Sequence, residues 1–99
     1  MILYNVTVAV DESIHNQWLV WMKNEHIPEV MATGKFVDWK MYRILLENDK
    51  SISYSVQYFA QSMAQLQLYQ AHHANELQTK HQQKFSDNTV AFRTILEEV

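Results

Sequence analysis

The order of strand-like and helix-like stretches in this chain, β-α-β-β-α-β, predicts an α+β sandwich in which an antiparallel four-stranded sheet holds both helices on one face. Two patterns carry that prediction. Large apolar residues alternate with small or polar ones over Ile2–Val10 and again over Ile52–Tyr58, and a stretch of helical spacing follows each of these strands. Composition bounds it: 99 residues, 47% apolar and 19% charged, make one core and hence one domain, 1–99, with the balance of a globular chain.

The first strand sets Ile2, Tyr4, Val6, Val8 and Val10 on one side and Asn5, Thr7 and Ala9 on the other. Asp11 then caps a helix whose inward residues are Ile14, Trp18, Trp21 and Met22. Pro28, the only proline, lacks an N–H and disfavours helical geometry at Ile27, which predicts a break or bend near His26 and a second short turn from Pro28. Gly34, the only glycine, suits the left-handed position that ends such a turn. Phe36 to Glu47 reads as a peripheral strand of ambiguous parity, and Asn48-Asp49-Lys50 as a turn into a second central strand, Ile52 to Tyr58. Ser62 with Gln65 has capping-box spacing, and the chain from there to about Lys84 has no helix breaker. One long helix is expected, its inner face traced by Leu66, Tyr69, His73, Leu77 and His81, with Ser86-Asp87-Asn88 ending it. The last strand sorts Val90, Phe92, Thr94 and Leu96 from Ala91, Arg93, Ile95 and Glu97. With short connections and right-handed crossovers, this order is the ferredoxin-like arrangement.

The apolar sides, Tyr4, Val6, Val8, Tyr54, Val56 and Tyr58 together with Phe92 and Thr94, are expected under the helices. The opposite face collects Asn5, Thr7, Ser53, Ser55, Gln57 and Arg93, interrupted by Leu3, Phe59, Ala91 and Ile95. A face so mixed suits a second sheet better than plain solvent, because its polar groups fix orientation and its small residues permit close approach. A homodimer through this open face is expected, with Asn5, Thr7, Ser55, Gln57 and Arg93 at the interface.

Several chemistries are excluded by composition. The absence of cysteine removes disulfides, thiolate metal sites and cysteine nucleophiles. A net charge of −3, with Arg43 and Arg93 the only guanidinium groups, leaves no basic stripe for a nucleic acid partner. No window approaches the about 18 consecutive apolar residues of a membrane span, and no basic n-region opens the chain, so a soluble cytoplasmic protein without a membrane partner is expected. Glycine-rich loops, a Ser-His-Asp order and paired carboxylates are missing. His72 and His73 are adjacent and His73 and His81 lie two turns apart, so no metal is expected. His26, beside the proline, and His73, among tyrosines, remain as acid/base candidates, since an imidazole titrates near neutrality. The plainer alternatives are a helix-end histidine complementing the dipole and a core histidine satisfied by a hydroxyl.

The opening strand Ile2–Asp11, Trp18–Met22, Glu25–Phe36, Tyr54–Phe59 and Val90–Leu96 together resemble an uncharacterised family, domain of unknown function 4286, over nearly the whole chain. That family looks like a branch of the dimeric α+β barrel superfamily, which pairs two ferredoxin-like sheets. The resemblance implies a homodimer and a ligand pocket between sheet and helices, lined by Tyr4, Trp21, His26, Tyr58, Tyr69 and His73. Superfamily relatives include cofactor-independent monooxygenases, muconolactone isomerases and haem-binding enzymes. Haem-degrading relatives use an Asn on the first strand, a Trp and a helical His; here Asn5 falls on the open face and the third strand has no Trp, so no cofactor is expected. Fold alone transfers no chemistry. The expectation is a small-ligand-binding or interaction protein, or alternatively an enzyme acting on a small aromatic or polyketide-like substrate with His26 or His73 as acid/base.

Overall fold

The computed structural model describes residues 1–45 and 50–99. Four strands, β1 (Ile2–Asp11), β2 (Asp38–Ile44), β3 (Ser51–Ala60) and β4 (Thr89–Glu97), form one antiparallel sheet in the order β2-β3-β1-β4. The long alternating stretches are thus the central strands, and the ambiguous second stretch lies at an edge, as its lack of a clean apolar side predicts. The Asn48-Asp49 part of the expected turn, and Leu46 and Glu47 at the end of the expected second strand, lie outside the described residues.

The helical layer departs from expectation in two places. Asp11 accepts the Ser13 amide at 2.9 Å and caps a 3-10 turn, Glu12–Ile14, that leads into α1 (His15–Trp21). The chain does not break at His26. It passes through a π turn, Met22–His26, in which the Ile27 amide reaches back to the Met22 carbonyl, and continues as α2 (Ile27–Ala32). Proline at the second residue of α2 has no amide to donate and crowds the carbonyl four residues earlier, and the wider winding removes both conflicts while the helical run continues. Gly34, at φ +75°, ends this run as expected, its amide donating to the Met31 carbonyl at 3.1 Å.

The second helical stretch is two helices, α3 (Met63–His72) and α4 (Ala74–Phe85), interrupted at His73, whose φ is −130°. Ser62 caps α3 through the Gln65 amide at 3.3 Å. The interruption puts Ala74 in place of His73 on the inner face: Tyr69, Ala74, Leu77 and Phe85 are buried, whereas His73 is half-exposed. Nothing at positions 72–74 is a helix breaker, so packing of both halves on the sheet, not local preference, places the bend.

The core lies between this layer and the even-numbered side of β1 and β3: Tyr4, Val8, Val10, Tyr54, Val56 and Tyr58 against Trp18, Met22, Ile27, Val30, Leu66, Tyr69 and Leu77. The register corrects β4. Val6 pairs with Arg93, Val8 with Ala91 and Tyr4 with Ile95, so Ala91, Arg93 and Ile95 share the helix-covered face. Phe92 and Thr94, expected in the core, lie on the open face, where Phe92 is 61% exposed and Val90 73%. Both sides of this strand contain apolar residues, so alternation alone left its parity undecided.

Candidate functional site

Beneath the helices is a chamber of about 40 Å³. Its floor is β1 and β3 through Tyr4, Val6, Val8, Val56 and Tyr58; its walls are Met22, His26 and Val30 from the first helical run and Tyr69, Gln78 and His81 from α3 and α4; Ala91 and Arg93 of β4 close the edge. The π turn contributes directly, since it holds both Met22 and His26.

Each ring in this wall has a defined setting. His26 stacks on Trp21, with centroids 5.0 Å apart, and lies 6.0 Å from the His81 ring. The Trp18 indole N–H donates to His81 Nε2 at 3.0 Å, so neutral His81 keeps its own proton on Nδ1. Burial drives the His26 pKa down to about 4, and a charge on neighbouring His81 would lower it further, against a smaller opposing pull from Glu29. Burial likewise lowers His81 to about 4, with the Arg93 guanidinium acting in the same direction. Both imidazoles are therefore uncharged at neutral pH. Tyr4 and Tyr69 pack at 5.9 Å and Tyr4 and Tyr58 at 6.4 Å. Burial raises the pKa of all three phenols, and for Tyr4 the nearby Arg93 works against that rise. They stand as O–H donors. Gln78 Nε2 reaches the Tyr4 hydroxyl at 3.5 Å, while the buried Tyr58 hydroxyl has no partner among the described residues.

Of the residues expected in a pocket, Tyr4, His26, Tyr58 and Tyr69 meet here. Trp21 supports the chamber from behind His26 rather than lining it, and His73 does not line it. His73 stacks on Tyr69 at 6.2 Å, and the α3–α4 interruption leaves its ring half in solvent. Sequence reasoning missed three polar contributors: Gln78, His81 as a pocket residue, and Arg93. His81 was already on the expected inner face, and its four-residue step from Leu77 was the available signal. Arg93 was placed on the wrong face, and its assignment to the open-face interface is corrected by its pairing with Val6. Among the described residues, no three His, Cys, Asp or Glu side chains converge as a metal site.

The open face has its own order. Ser55 Oγ donates to Asn5 Oδ1, Asn5 Nδ2 donates to Thr7 Oγ1 at 3.0 Å, and Gln57 Nε2 donates to Ser55 Oγ at 3.1 Å. This polar row across β1 and β3 is flanked by Val90, Phe92 and Leu96 on β4 and by Tyr42 on β2. Four of the five expected interface residues, Asn5, Thr7, Ser55 and Gln57, thus share one surface.

Sheet order and helical layer define a ferredoxin-like α+β domain with a chamber beneath its helices. Matched over residues 1–99, the chain belongs to the family described as domain of unknown function (DUF4286). It is similar in fold to a dimeric ferredoxin-like protein from an uncultured marine organism, at 12% identity and a TM-score of 0.72, covering 100% of this chain and 95% of that one. It is also similar to an ethyl tert-butyl ether D (EthD) family protein from Bacillus halodurans, at 14% identity and a TM-score of 0.69, with both chains covered in full. An antibiotic biosynthesis monooxygenase matches at 9% identity and a TM-score of 0.70, over 100% of this chain and 99% of that one. No curated protein matches the chain. Likeness at these identities is a likeness of fold. Among the described residues no helix is long and apolar enough to cross a membrane.

Proposed function

We propose that the protein is a homodimeric small-ligand-binding protein that takes its ligand into the chamber between sheet and helices. One observation carries this reading: the chamber brings His26, His81, Gln78, Arg93 and an unpartnered Tyr58 hydroxyl together over an apolar floor. A purely structural core would fill that space with hydrocarbon, because a buried hydroxyl without a partner costs about 1–3 kcal/mol. Concave, mostly apolar sites with a few converging polar groups are the usual form of small-molecule pockets. A thermal-shift screen of a metabolite library is expected to find a compound that raises the melting temperature of the native protein by several degrees and that of His26→Gln by much less. If no compound stabilises the protein, or the shift ignores both His26→Gln and His81→Gln, the site is wrong.

The dimeric part of the reading is supported by the open face and by the fold's likeness to dimeric ferredoxin-like proteins. Phe92, Val90 and Leu96 beside the Asn5–Ser55–Gln57 row offer apolar contact at the flank and hydrogen-bonding groups in the middle. Sedimentation at micromolar concentration is expected to show a dimer, and Phe92→Glu a folded monomer. A native monomer at that concentration overturns the interface.

A second reading, a cofactor-independent enzyme of the monooxygenase or isomerase kind, draws on one feature: the two imidazoles are uncharged at neutral pH and line a partly open chamber. His81 Nε2 is already occupied by the Trp18 N–H, so in this reading His26 is the proton acceptor. Turnover of a stabilising compound, lost in His26→Gln while binding persists, would select the enzyme.

A further inference from the structure

The polar atoms of the chamber are unevenly divided between donors and acceptors. Arg93 offers a guanidinium and forms no ion pair among the described residues. The Tyr58 hydroxyl has no partner among the described residues, and the Tyr4 and Tyr69 hydroxyls are protonated at neutral pH. His81 has its acceptor nitrogen filled by Trp18, which leaves Nδ1–H as a donor. Among the described residues no Asp or Glu lines the chamber. The nearby carboxylate of Glu29 is held outside by Lys80 at 2.8 Å. His26 and Gln78 add one acceptor each, so a chamber with one cation, a majority of donors and no acidic side chain among the described residues calls for a ligand that brings acceptors and negative charge.

Val6, Val8, Met22, Val30, Val56 and Ala91 make the rest of the lining apolar, so an inorganic anion would meet mostly hydrocarbon. Beyond the chamber, a wider hollow of about 470 Å³ shares His81, Ala91 and Arg93 with it and adds Gln82, Gln83, Ser86 and Thr89. Arg93 therefore stands where the two spaces meet.

We propose that the site selects a small organic acid, whose oxyanion is met by Arg93 and whose second oxygen accepts from Tyr58. The inference rests on the reading of the chamber as a ligand site and names the class of ligand it takes. Arg93 supplies charge and a two-pronged donor geometry. Tyr58 gains in the complex the hydrogen bond it lacks in the free protein, so its hydroxyl adds to binding while contributing nothing to the stability of the unliganded fold.

The test uses pyruvate and salicylate, each a carboxylate with a second oxygen nearby, against the neutral pyruvamide and salicylamide, by calorimetric titration of the intact protein. At least one acid is expected to bind tenfold or more tighter than its amide. Arg93→Met is expected to weaken the acid at least tenfold and to erase the preference over the amide; Arg93→Gln serves as a second variant should methionine perturb β4. Tyr58→Phe is expected to weaken the acid several-fold while leaving the melting temperature of the free protein unchanged or raised. Equal binding of acid and amide, or native affinity in both Arg93 variants, overturns the proposal. If neither probe binds although a library compound stabilises the protein through His26, the organic-acid inference fails and the ligand site stands. If nothing in the library binds either, both fall.

Discussion

Trp18→Ala is expected to destabilise the protein by about 3–5 kcal/mol, the largest effect of any single substitution considered. Trp18 is completely buried, packs on Tyr54 with centroids 5.3 Å apart, and anchors His81 through its indole N–H. Truncation removes a large apolar surface, leaves a cavity between α1 and the sheet, and frees the imidazole that shapes one wall of the chamber. A ferredoxin-like fold of this size has only about 5–15 kcal/mol to lose, so the variant should unfold at markedly lower urea concentration. Trp18→Phe separates the two contributions. It keeps most of the apolar contact and loses the hydrogen bond, and about 1–2 kcal/mol is expected, with His81 more readily protonated. Urea unfolding followed by circular dichroism checks both. A loss below about 1 kcal/mol for Trp18→Ala would show that the helix does not rest on this residue as described.

The second large effect is acid lability in a defined window. His26 and His81 ionise at about 4 in the folded protein and near the ordinary 6.5 once unfolded. Between those values the unfolded chain binds more protons than the native one, so stability rises with pH across the window. The full contribution is present above about pH 6.5, falls as the pH drops, and is exhausted below about pH 4. For His26 the shift corresponds to about 3 kcal/mol, and the less deeply buried His81 adds a smaller amount. The groups that set this behaviour are Trp21, His81, Glu29, Lys80 and Arg93 around His26, and Trp18 and Arg93 around His81. Unfolding free energies measured from pH 7.5 to 4.5 are expected to fall by about 2–4 kcal/mol, and His26→Gln to flatten most of that slope. A level profile for the native protein would mean that the imidazoles take up protons without leaving their places.

Much of the fold is legible from alternation and spacing because those patterns are local. Tyr4, Val8 and Val10, and Tyr54, Val56 and Tyr58, had only one way to face a core. Trp18, Trp21 and Met22 recur on one side of a helix and are buried there. Gly34 ends its turn in the conformation that glycine adopts without strain. Half of the chamber follows from these elements: Tyr4 and Tyr58 are neighbours across β1 and β3, and Tyr69 is on the inward side of the helix above them.

The rest depends on interactions between distant segments. The conflict at Pro28 was visible in the sequence, but a break and a π turn both resolve it, and the turn that forms keeps the helix on the sheet and sets Met22 and His26 in the chamber wall. The bend at His73 has no residue that announces it, and it removes this histidine from the chamber.

From the chain alone come the β-α-β-β-α-β order, the two central strands and the absence of cysteine chemistry, because each is a property of composition or of short-range periodicity. Which way Arg93 points was decided by the tertiary structure. Ala91 and Ile95 on one side of β4 and Val90, Phe92 and Leu96 on the other are both apolar enough for a core, and only the pairing of Val6 with Arg93 settles the parity of that strand. That one register turns an expected interface arginine into the cation of the chamber, and it leaves Phe92 on the open face.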